Sequence, residues 1–189
     1  MKVAVVCANG RVGTLVVKEA LNRGLDVTAV VREDNKTAAK NVIKKDLFDL
    51  TAADLDGFDV VVDAFGAWKE EELPNHTKSL MHLCDILSGK KTRLVVVGGA
   101  GSLYVNPEHT AVVSDGPDFP PQFLPLAKAQ GKALEELRKR SDVQWTFCLL
   151  YTSYEAGRKV RTPHNMLYRY FRSVLRNRRR RARRGSGDS

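Results

Sequence analysis

Residues 7–13 read Cys-Ala-Asn-Gly-Arg-Val-Gly directly after the apolar run Val3–Val6, so two glycines stand where a strand would turn into a helix. Such a turn leaves backbone N–H groups unpaired at the positive end of a helix dipole, which suits a pyrophosphate. In that reading Ala8, Asn9, Gly10, Arg11, Val12 and Gly13 form a phosphate cradle. Gly10 lets the anion approach the backbone, and Gly13 lets the helix pack on the strand. A glycine turn kept only for packing is the alternative. About twenty residues on, the next apolar run ends Val30-Val31-Arg32, with Glu33 and Asp34 following. A carboxylate at that place would hold the ribose of NAD. A guanidinium can instead grip a 2′-phosphate at two points, so Arg32 favours NADP, with NAD possible and Glu33 available to a ribose hydroxyl. A solvated loop cation is the bland reading of Arg32.

These residues need strands and helices to position them. Residues 2–8, KVAVVCA, read as a strand buried on both faces. A helix follows with Val12, Leu15, Val16 and Ala20 inward and Gly24 as its stop. Further strands are expected at 26–32, 41–46 and 58–66, with a short helical turn at 51–55 between the last two. An amphipathic helix runs over 70–88, with Leu73, Thr77, Leu80, Cys84 and Leu87 inward and Gly89 as its stop. A fifth strand covers 92–99. Residues 100–125 show no periodicity and hold five of the seven prolines, the mark of a long and functional loop. A helix over 128–140, with Ala133, Leu134 and Leu137 inward, precedes a sixth strand at 143–150. Strands alternating with helices imply an α/β fold, a Rossmann-like doubly wound parallel sheet in three α/β/α layers, ordered 3-2-1-4-5-6.

The charge divides the chain. Of its 31 lysines and arginines 12 lie after Leu150, against only 2 of its 22 acidic residues, so residues 1–150 are near neutral and residues 151–189 strongly basic. The expected organisation is a dinucleotide-binding domain over 1–150 and a basic, Arg-rich tail over 151–189. Three readings of the tail stay open: a site for nucleic acid or an anionic surface, a disordered solvated end, or a reading frame lost near Cys148. The three cysteines form no CxxC pair, and His76 and His82 stand six apart, so no metal site is expected. The first apolar run is too short for a secretory signal and no run approaches a membrane span, which implies a cytoplasmic protein.

Taken together, ANGRVG after the first strand, VVR after the second, DLFD after the third, DVVVDAFGA at the fourth, RLVVVGGAGSL at the fifth and AKAQGKALEELR near position 130 resemble the atypical short-chain dehydrogenase/reductase proteins. The resemblance covers about residues 1–147 and is closest to the NmrA-like NAD(P)H-binding set, which includes NADH-flavin reductases and biliverdin reductase B-like enzymes. It implies that Asn9 to Val12 hold the pyrophosphate, Arg32 the adenosine phosphate, Asp46 and Leu47 the adenine, and Ala64, Phe65 and Gly66 the nicotinamide side. It also implies hydride transfer to a small conjugated acceptor, a flavin or quinone. A non-catalytic dinucleotide sensor is the alternative, since the NmrA-like set includes regulators.

The sequence departs from the family pattern at two places. Cys7 and Asn9 replace the usual first glycine and a Thr or Ser. Cys7 is expected in an ordinary strand or turn conformation, as a small buried hydrophobe rather than a redox group. The Tyr-x-x-x-Lys of ketone-reducing relatives is also missing: Lys128 stands four before Lys132, and Leu124 four before Lys128. No proton donor then serves a developing alkoxide, whereas a conjugated ring spreads the charge and takes its proton from solvent. Ser102 matches the place of the family serine and could hydrogen-bond the acceptor as the catalytic residue, or serve as a turn serine. Lys128 is either a ligand contact or a solvated lysine. Asp63 is expected to bond backbone rather than act as an acid.

Overall fold

The computed structural model describes residues 1–150, and for Leu150 its backbone alone. Valine-rich runs form the centre. Strands β1 (Lys2–Val6), β2 (Asp26–Val31) and β4 (Val60–Asp63) are buried along nearly their whole length. Strands β3 (Asn41–Lys44), β5 (Arg93–Gly99) and β6 (Gln144–Leu150) complete the sheet. The order is β3-β2-β1-β4-β5-β6, with every pairing parallel. This is the Rossmann order the alternation of elements implies, and the chain passes from one half to the other between β1 and β4.

Helices α1 (Arg11–Asn22), α2 (Asn75–Leu87) and α3 (Leu124–Arg138) cover the sheet. Leu80, Leu83, Cys84 and Leu87 of α2 and Ala133 and Leu137 of α3 pack with Ala4, Val6, Val30, Val61, Leu94 and Val96 of the sheet. Side chains alternate along a strand, so Val3 and Val5 point to the opposite face, where α1 buries Val16, Val17 and Ala20.

Several boundaries differ from the sequence reading, each for a local reason. On α1 the inward stripe is Gly13, Val16, Val17 and Ala20, and Leu15 lies 54% exposed, because the stripe is phased on the glycine that meets the strand. The helix expected from Glu70 starts at Asn75; Glu70–Glu72 form a separate 3₁₀ turn before Pro74. His76 and Leu83 join its buried face while Thr77 is only half-buried. Helix α3 starts earlier than expected, with Pro125 in its first turn, where no N–H is missed. The 100–125 segment holds 3₁₀ turns at Ala100–Ser102, Val113–Asp115 and Pro121–Phe123, and a bridge between Tyr104 and Val112. Asn106 Oδ1 closes its tip by accepting from the N–H groups of Thr110 (3.0 Å) and Ala111 (3.2 Å). Residues 51–55 form hydrogen-bonded turns rather than a helix. Every reading of 151–189 as a basic tail lies outside the described residues. Among the described residues no helix is long and apolar enough to cross a membrane.

Leu137 is fully buried where α3 meets α2 and the sheet. Leu137→Ala should cost about 2–5 kcal/mol of stability, read as a lower urea midpoint with unchanged slope.

Candidate functional site

The parallel register brings the C-terminal ends of the central strands level, since Val6 pairs with both Val30 and Asp63. The chain then leaves β1 through a turn anchored on both neighbours. The Ala8 N–H donates to Val30 O at 3.2 Å, and the Ala64 N–H donates to Val6 O at 3.2 Å. Within the turn the Gly10 N–H donates to Cys7 O at 2.9 Å, and the first helical bond runs from Thr14 N–H to Gly10 O at 2.9 Å. Among the described residues the N–H groups of Asn9, Arg11, Val12 and Gly13 have no acceptor, and no side chain caps α1. With Gly10 as N-cap, those of Arg11, Val12 and Gly13 are the orphan donors of a helix start, and the Asn9 N–H stands just before them at the end of β1.

Gly13 is required by close packing. A Cβ there would collide with Cys7 O and lie 2.8 Å from Ala8 Cα. Gly10 is tight but less extreme, at 3.1 Å from Cys7 O. Asn9 ties the turn to the loop after β2: its Nδ2 donates to Asp34 O at 2.9 Å, and its Oδ1 accepts from the Lys36 N–H at 2.8 Å. A Thr or Ser side chain is too short to span both groups, which gives the departure at position 9 a physical use.

The conformation expected of Cys7 is wrong. Its φ is +58°, in the left-handed region where a Cβ crowds the backbone. The turn needs that conformation to bring Ala8 back under α1, and the residue pays for it with strain of about 1–2 kcal/mol. Burial pushes the Cys7 thiol up to about 12, with the Asp63 carboxylate adding to the effect. Its side chain packs against the core as a hydrophobe.

Around this turn stand the other expected residues. Arg32 is 77% exposed at the end of β2, its Nε 3.8 Å from Asp46 Oδ2. So loose an exposed pair is worth little, and the guanidinium can turn to another anion at small cost. Asp46 accepts from the Phe48 N–H at 2.9 Å, and Leu47 is buried. Glu33 is exposed; Asp34 is engaged by Lys44 at 2.7 Å, which holds its carboxyl below the usual range. The structure thus brings Ala8–Gly13, Arg32 and Asp46 to one edge of the sheet.

Ala64, Phe65 and Gly66 lead away from β4 beside them. Asp63 is 4% exposed and accepts from the Phe65 N–H at 3.0 Å, the backbone-bonding role its position implies. Burial raises its carboxyl from 3.8 to about 6. It borders a cavity of about 20 Å³, roughly one water, with Phe65, His76 and Gln130. His76 is held there at 3.1 Å from Ala67 O, edge-on to Phe65, and burial lowers its pKa. Ser102 ends the turn after β5 and is buried against α3, with its Oγ 3.6 Å from where a Cβ on Gly131 would sit. Lys128 is exposed on α3. Sequence reasoning missed His76, Gln130, Trp68 and Phe123 at this end of the sheet. Only Trp68 left a signal, as a tryptophan two residues past Gly66 in a polar loop.

A sheet in this order, with a glycine turn at its first crossover, defines a Rossmann-type nucleotide-binding fold. The chain belongs to the NAD(P)H-binding family, which it matches over residues 7–160. Its ligand is therefore a nicotinamide dinucleotide. It is 43% identical over 150 residues to the uncharacterised protein YwnB of Bacillus subtilis (strain 168), covering 78% of this chain and 70% of that one. Among solved structures it is similar to a candidate NADH-flavin reductase from Streptococcus pneumoniae TIGR4, at 52% identity and TM-score 0.76, covering 78% of this chain and 70% of that one. The Lmo0794 protein of Listeria monocytogenes is 34% identical with TM-score 0.67, covering 95% and 93% of the two chains.

Cys7→Val adds a branch at Cβ in a left-handed residue and should lose about 1–3 kcal/mol, whereas Cys7→Gly should not, as urea unfolding of the two will read. Burial holds all three thiols above their usual range, so the native protein should react slowly with Ellman's reagent at pH 8 and rapidly in urea. The Asp63 carboxyl binds its proton more tightly folded than unfolded, so its ionisation weakens folding as pH rises from about 4 to about 6. Asp63→Asn keeps an acceptor for Phe65 without the charge. Its stability relative to wild type should rise across that window and level off above it.

Proposed function

We propose that the chain is an NADP-preferring reductase that passes hydride to a small conjugated acceptor such as a flavin or quinone. The observation that supports this best is the first turn: four uncommitted N–H groups and a helix start brought against β1 by a glycine with no room for a Cβ. That cradle fits a pyrophosphate. The N–H groups of Asn9, Arg11, Val12 and Gly13 hold it, with Gly10 letting it approach the backbone and Ala8 shaping the turn, while Arg32 pairs with the adenosine 2′-phosphate. Asp46 and Leu47 border the adenine, and Ala64, Phe65 and Gly66 the nicotinamide side. When bound, the reduced nicotinamide supplies a hydride to the acceptor ring, which takes its proton from solvent and leaves as the dihydro form.

The chain's own residues orient more than they react. Neither Lys132 nor Lys128 has a tyrosine four residues before it, since Lys128 and Leu124 stand there, so the residues there offer no phenol to an alkoxide. That favours an acceptor whose ring carries the charge. Ser102 lies at the end of β5, on the acceptor side, where its hydroxyl can hold a ring carbonyl. The similarity to a candidate NADH-flavin reductase at 52% identity supports the same chemistry. The three free cysteines support a reducing, cytoplasmic setting.

Steady NADPH oxidation with riboflavin, FMN or menadione tests the reading. Tight NADPH binding without oxidation above the buffer rate, across all three, would reject the reductase in favour of a sensor. Arg32→Ala should weaken NADPH about tenfold, the worth of a charged hydrogen bond, and leave NADH within about twofold; equal losses for both would remove Arg32 from the 2′-phosphate.

A further inference from the structure

Trp68 is the most exposed large apolar side chain among the described residues, at 68%. Nothing in the packing calls for an indole there. The chain's other tryptophan, Trp145, is partly buried and donates its Nε1–H to Arg140 O at 3.2 Å. Trp68 lies on the loop that leaves β4, two residues past Gly66. Among the described residues its one ring partner is Phe123, itself 42% exposed, at the end of the loop that leaves β5; the centroids are 6.4 Å apart and the planes 70° to one another. Strands β4 and β5 are parallel neighbours, with Asp63 opposite Val96. The two rings therefore meet across loops that both spring from the same edge of the sheet, beside the residues we assign to the nicotinamide. Ligands of open α/β sheets bind in that crevice.

We propose that the Trp68 indole is the platform on which the acceptor's ring stacks, and that Phe123 is a positioning residue that holds the indole by its edge-to-face contact. This rests on the reductase reading above and names how its substrate is recognised. A flat conjugated ring is the occupant the surface fits. The exposed apolar groups that meet here are two rings, and Lys69, Glu70 and Glu71, which follow Trp68 in the chain, are all exposed; two rings next to three charges suit a flat ligand better than a protein partner. An indole offers a broad, polarisable face at low entropic cost, and stacking of this kind tolerates different ring systems. Isoalloxazine and naphthoquinone rings share that chemistry.

The test uses the full chain saturated with NADP⁺ and titrated with riboflavin and, separately, menadione, by calorimetry and by quenching of tryptophan fluorescence. Trp68→Ala should weaken riboflavin at least tenfold and raise its KM in proportion, with NADP⁺ affinity within twofold of wild type. Trp68→Phe should recover most of the affinity, and Phe123→Ala should show a smaller loss. Menadione weakened in parallel marks a platform for flat rings in general, and menadione unaffected restricts it to isoalloxazines. Riboflavin affinity unchanged in Trp68→Ala overturns the inference while leaving the reductase reading intact. Loss of NADP⁺ affinity in the same variant also overturns it, as a structural role would. A wild-type protein that binds NADP⁺ yet neither binds nor reduces either acceptor overturns the reductase reading and this inference with it.

Discussion

The approach of α1 to the end of β1 is the contact on which the rest depends. It is close enough that a single carbon on Gly13 would collide with the Cys7 carbonyl and press on Ala8. Two consequences follow from that distance. The start of α1, with its unpaired N–H groups, is held at the end of β1, and the inward face of α1 is phased on Gly13, burying Val16, Val17 and Ala20 while leaving Leu15 outside. Moving the helix outward to admit a side chain would weaken both the core on that face and the cradle at its start.

The same geometry explains the strain at Cys7. For the chain to leave β1, donate from Ala8 to Val30 and still begin a helix at Arg11, one residue must take a positive φ, and that residue is Cys7. Glycine would adopt it freely. A cysteine bears the cost because its small side chain finds a place against the core, and burial near Asp63 keeps the thiol protonated and unreactive. Asn9 then fastens the turn to the loop after β2 through two hydrogen bonds. The site thus joins one strained residue to one bridging residue, both at positions where the family pattern is broken.

Electrostatics divide the strand edge into two halves. Toward β2 and β3 the Arg32–Asp46 pair is exposed and loose, so an incoming phosphate can take the place of the carboxylate at little cost. Toward β4 and β5 they are buried and fixed: Asp63 on Phe65, His76 on Ala67, Ser102 against α3. A charged ligand end suits the first half and a neutral ring the second, which is the polarity of a dinucleotide laid across the switch point.

Valine runs, glycine stops and helical spacing determined the sheet order, because a parallel sheet buried on both faces leaves few arrangements for alternating elements. That the first turn and Arg32 stand at strand ends was legible for the same reason, while Asp46 was singled out by family resemblance alone. Helix starts at Asn75 and Leu124 were not, since prolines and 3₁₀ turns shift boundaries without altering periodicity. The left-handed φ of Cys7, the burial of Asp63 and the meeting of Trp68 with Phe123 belong to tertiary structure alone. Each depends on how far apart two elements settle after packing, and a sequence records the order of residues but not that distance.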